Sequence, residues 1–85
     1  MELGFKTQDL WCAAALLTKG FQIIDIDSAS PYRAIFHFKR KQGERIEDVA
    51  DMYYRDQLML APRQLAYSIR DLKSRIANGT NPHQE

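Results

Sequence analysis

Arg63, Tyr67, Arg70 and Ser74 are spaced by four, three and four residues, which on a 3.6-residue helix places them on one ridge. Two guanidinium groups flanking a phenol ring on one surface suit nucleic acid: the cations meet phosphates and the ring stacks on a base. Lys73 and Arg75 add positive charge to the same segment. A second basic cluster, Arg33, Lys39, Arg40, Lys41 and Arg45, lies upstream, with Tyr32 beside it as a second stacking group. If both clusters share a side of the molecule, they form one basic, aromatic-bearing surface.

Other reactive side chains point to less. His37 falls between Phe36 and Phe38 in a strand-like run, with Arg33 and Lys39 as same-face neighbours. It has no second group to work with as a general acid or base, so it reads as a surface histidine. His83 sits in a polar tail. Cys12 follows Trp11 in an apolar helix without a nearby histidine, and reads as a small buried hydrophobe. Asp25 and Asp27 share a strand face, but further oxygen ligands for a cation are missing, so edge protection explains them. Glu44, Glu47, Asp48 and Asp51 crowd the start of a helix, where the helix dipole favours them. The sequence contains no glycine-rich phosphate loop, nucleophile elbow or metal-binding His pair. The expectation is therefore a non-enzymatic protein with no metal, cofactor or small-molecule substrate.

Five elements are needed to position these groups. A helix over residues 8–18, capped by Thr7 with Asp9 in its first turn, ends at Gly20. It is apolar over much of its circumference, with Leu10, Ala13, Ala14 and Leu17 as the main face and Trp11 and Cys12 pointing elsewhere, which calls for burial on several sides or a covering partner. Strands over 21–27 and 32–39 follow, joined by a turn through Ser28 and Pro31. In the second, Ala34, Phe36 and Phe38 face the helices, and Arg33, Ile35, His37 and Lys39 face away. A helix over 44–54 turns Ile46, Val49, Ala50 and Tyr53 inward. The last helix, 62–79, begins with Pro62 at its first position and stops at Asn78-Gly79. Its stripe of Leu65, Ile69, Leu72 and Ile76 seeks a core, and Ile69 should pack on Phe36 or Phe38 and the preceding helix. The expected fold is α+β, a two-stranded antiparallel hairpin against three helices in the order α-β-β-α-α, with residues 1–79 as one domain and 80–85 as a frayed tail.

Eighty-five residues with 45% hydrophobic and 27% charged content fit one small folded domain and exclude global disorder. A formal charge of +1 gives no bulk attraction to nucleic acid, so binding must come from local clusters. The single cysteine fits a reducing cytoplasm. The apolar run from Leu10 to Leu17 is too short for a bilayer, and the N-terminus lacks the pattern of a signal peptide.

The series Lys6-Thr7-Gln8-Asp9-Leu10, Lys19-Gly20-Phe21 before a strand, a phenylalanine-rich second strand, Tyr53-Tyr54, Ala61-Pro62-Arg63 and Leu72-Lys73-Ser74-Arg75 resembles a small domain family of unknown function found in bacterial and phage genomes. The resemblance covers residues 5–76 and implies an architecture and a mobile-element origin, with no activity attached. Its members usually carry Asp-Pro-Arg where this chain has Ala61-Pro62-Arg63, so the side-chain cap of the last helix is missing here. The leading expectation is a nucleic-acid-binding module. The alternative is a protein-interaction module, accessory or inhibitory and capable of homodimerisation, that uses Trp11, Ile35 and the open strand edges.

Overall fold

A computed structural model describes residues 4–30 and 33–78. The chain forms β1 (Phe5–Thr7), α1 (Leu10–Thr18), β2 (Ile23–Ser30), β3 (Arg33–Phe38), α2 (Ile46–Tyr54) and α3 (Pro62–Ala77). The sheet has three antiparallel strands in the order β1-β3-β2. This corrects the expected two-stranded hairpin and its α-β-β-α-α order: the observed order is β-α-β-β-α-α. β1 is too short to show alternation, but its register on β3 sets Phe5 opposite Phe38 and Thr7 opposite Phe36. Phe5 thereby adds to the core.

A third strand moves β3 from the edge to the centre. Ile35 therefore sits half-buried in the middle of the outer sheet face rather than on an open edge. The true edges are three-residue β1 and β2, whose register shifts between Ile23 and Asp25 and which carries Asp25 and Asp27 outward beside His37 and Ile35. Shortness, a bulge and acidic side chains all blunt an edge against another strand.

The inner face holds Phe36 and Phe38 fully buried. Across them lies α1, in which Cys12, Ala13, Ala14, Ala15 and Leu16 are all inaccessible. Small residues around its circumference let other elements approach closely. α2 and α3 both pack on α1, and Thr18 Oγ1 shares hydrogen bonds of 2.8 Å with the Ala14 carbonyl and with Ser68 Oγ of α3. α3 packs chiefly on α1, and Ile69 packs against the core that includes Phe36 and Phe38. Leu72 is the fully buried member of its stripe, and Leu65, Ile69 and Ile76 are half-buried.

Asp9, not Thr7, caps α1: its Oδ1 accepts from the backbone N–H of Trp11 and Cys12 at 3.0 and 3.1 Å, while Thr7 Oγ1 accepts from Asp9 N. At the other end the N–H of Gly20 donates to Leu17 O and that of Phe21 to Leu16 O. Gly20, at φ +105°, occupies the left-handed position of a Schellman motif, and buried Phe21 and Leu16 supply its apolar contact. α2 ends in the same motif, with Asp56 N donating to Tyr53 O and Gln57 N to Met52 O. Here the left-handed residue is Asp56, at φ +60°. A side chain there costs energy that glycine does not, and a carboxylate opposes the negative end of the helix dipole. Asp56→Gly is therefore expected to stabilise the domain by about 1 kcal/mol, read as a higher denaturation midpoint; an unchanged or lower midpoint would show that Asp56 makes a compensating contact.

Asn78 closes α3 at φ −89°, outside the left-handed region. The expected stop at Gly79, the tail with His83, and the turn residues Pro31 and Tyr32 lie outside the described residues. No helix among the described residues is long and apolar enough to cross a membrane.

Candidate nucleic-acid interface

Because Leu65, Ile69, Leu72 and Ile76 turn toward the core, the opposite ridge of α3 must face solvent. Arg63, Tyr67, Arg70 and Ser74 are all exposed there, with Tyr67 56% accessible, and Lys73 is exposed on the flank. The Arg70 guanidinium stands 5.8 Å from the centre of the Tyr67 ring, a cation–π distance. Asp71 is the sole acid of α3, and Arg75 takes it up at 3.1 Å. Arg63, Arg70 and Lys73 have no acidic partner among the described residues. The helix also starts without a side-chain cap at Ala61 and without an acid in its first turn, so the positive end of its dipole is not offset beside Arg63.

The upstream cluster is placed differently. Arg40 makes a two-point pair with Glu47, Lys41 lies 3.5 Å from Glu44, and Arg45 lies 3.6 Å from Asp48. Lys41 Nζ also covers the buried Phe21 ring at 4.5 Å. Glu44 before α2 and Glu47 and Asp48 in its first turn thus neutralise much of the basic turn beside them. Arg33, on the outer sheet face, and Lys39 are exposed. Tyr32, the second proposed stacking group, lies outside the described residues.

The Arg40 hydrogen bond, helped by the Glu47 backbone, holds the Glu47 carboxyl at about 2, below its ordinary 4.5. A carboxyl that is more acidic in the folded state adds stability above about pH 4.5 and loses it as pH falls toward about 2. Glu47→Gln should therefore destabilise the domain at neutral pH and converge on the parent in acid. Urea midpoints across that range would read the effect, and a constant gap at all pH values would refute the linkage.

Trp11 is 53% and Tyr54 59% exposed. Asp9 ties them together: one carboxylate oxygen receives the Trp11 backbone N–H, and the other receives the Tyr54 hydroxyl at 2.8 Å. Partial desolvation and this hydrogen bond push the Tyr54 phenol well up. Burial also pushes the Cys12 thiol up. Cys12 therefore stays a protonated thiol at neutral pH and is a poor nucleophile. Among the described residues, no group of three or more His, Cys, Asp or Glu side chains is placed to hold a metal ion.

Neither the curated proteins nor the solved structures include a match to this chain. A family model described as "Domain of unknown function (DUF5659)" matches residues 2–78, which span every helix and strand given above. The chain belongs to this family, DUF5659, a family of small domains of unknown function.

Proposed function

We propose that this domain is a non-enzymatic nucleic-acid-binding module, of phage or mobile-element type and acting in the cytoplasm, whose contact surface is the outer ridge of α3. One observation carries the reading: Arg63, Arg70 and Lys73 are exposed without acidic partners among the described residues, near the exposed ring of Tyr67, whereas Arg40, Lys41 and Arg45 are paired with Glu47, Glu44 and Asp48. Arg63 and Arg70 are seven residues apart, about 10 Å along the helix, so two long arginine side chains can reach separate phosphates of one strand. Tyr67 between them offers a face to an unpaired base, so single strands should bind at least as well as duplex. Fluorescence anisotropy with random single-stranded and duplex oligonucleotides tests this. Binding at low salt that weakens steeply as salt rises is expected, and no binding at low salt would refute it.

The exposed Trp11 and Tyr54 beside Asp9 favour a second reading, a protein-interaction module. Exposed aromatic pairs of this kind are typical interface anchors. Co-purification with a protein and without nucleic acid would favour it.

A further inference from the structure

On another side of the molecule, Ala15 of α1, Tyr53 of α2, Leu58 and Leu60 of the following connection and Leu65 of α3 line a cavity of about 220 Å³ together with Asp56. Four of the six lining residues are alanine or leucine, and the other two are Tyr53 and Asp56. Asp56 is exposed and has no cation partner among the described residues. Its neighbour Arg55 is taken up by Asp51 at 3.0 Å. Local energetics argue against an aspartate here: the backbone is left-handed at φ +60°, the charge sits at the wrong end of α2, and the equivalent position of α1 is a glycine. A carboxylate kept where the helix alone would favour glycine, beside an apolar hollow, is complementary to a cation on an apolar stem.

We propose that this cavity receives a lysine side chain presented by a protein partner. The methylenes would line against Leu58, Leu60 and Leu65, and the ammonium would meet Asp56 at the exposed side. Lysine fits better than arginine, because one carboxylate matches a compact ammonium whereas a guanidinium fork needs acceptors for five N–H groups. The site is independent of the α3 ridge, whose exposed residues lie on the opposite side of that helix from Leu65.

The test is a titration of the folded domain with Nα-acetyl-lysine methylamide, followed through the leucine methyl resonances of Leu58, Leu60 and Leu65. The norleucine analogue, with the same stem and no charge, is the control. Asp56→Asn removes the charge from the protein while keeping a residue that tolerates left-handed backbone, so it should fold at least as stably as the parent. Saturable shifts are expected with the lysine compound, and the affinity should fall about fivefold both with norleucine and in Asp56→Asn. No saturable shift, or equal affinity for the two compounds, or equal affinity in the two proteins, would overturn the proposal.

Discussion

Leu72→Ala is expected to lower the stability of the domain by about 2–5 kcal/mol, whereas Arg70→Ala, two residues away on the same helix, should change it by less than about 0.5 kcal/mol. The contrast follows from where each side chain goes. Leu72 is fully buried, in a core shared with Phe36, Phe38 and the inaccessible face of α1. Removing its methylenes leaves a cavity in that core. Arg70 leaves only an exposed cation–π contact with Tyr67, and alanine is the better helix former. A small domain, near the low end of the usual range of about 5–15 kcal/mol, would be partly unfolded by the first change. Ile69→Ala, at a half-buried position, should fall toward the lower part of the cavity range. Urea denaturation of the three variants would settle the assignment. Equal losses at Leu72 and Arg70 would mean that the two faces of α3 are assigned wrongly, and with them the binding ridge.

How legible each part was depended on how local its cause is. α3 begins at Pro62 as its sequence indicates, and its two faces follow from spacing alone. Alternation in β3 likewise separated buried Phe36 and Phe38 from outward His37 and Ile35. β1 could not be found this way, because three residues make no period and its pairing with β3 reaches across about thirty positions. Thr7 and Asp9 are both good capping residues, and tertiary pairing decides between them: β1 claims Thr7, leaving Asp9 as the cap. The sequence places Glu44 and the acids of α2 between the two basic clusters, but only folding shows that Arg40, Lys41 and Arg45 pair with Glu47, Glu44 and Asp48. Asp56 was hidden for another reason. A left-handed helix stop is recognised in sequence by glycine, and here aspartate takes its place.

The largest functional effect is expected from Arg63→Ala combined with Arg70→Ala. Both side chains are exposed, and neither takes part in an ion pair among the described residues, so the double variant should fold normally. If each guanidinium holds one phosphate, losing both should weaken oligonucleotide binding roughly tenfold to a hundredfold, about equally across sequences. Arg40→Ala with Lys41→Ala, in the turn that Glu47 and Glu44 neutralise, should cost much less affinity. The decisive measurement is the slope of log affinity against log salt for the parent and the Arg63→Ala, Arg70→Ala variant on one single-stranded oligonucleotide. The account predicts that the variant's slope is shallower by about 1.4, the loss of two single-strand phosphate contacts. An unchanged slope and affinity in a variant that is still folded would contradict it and move the contact surface off α3.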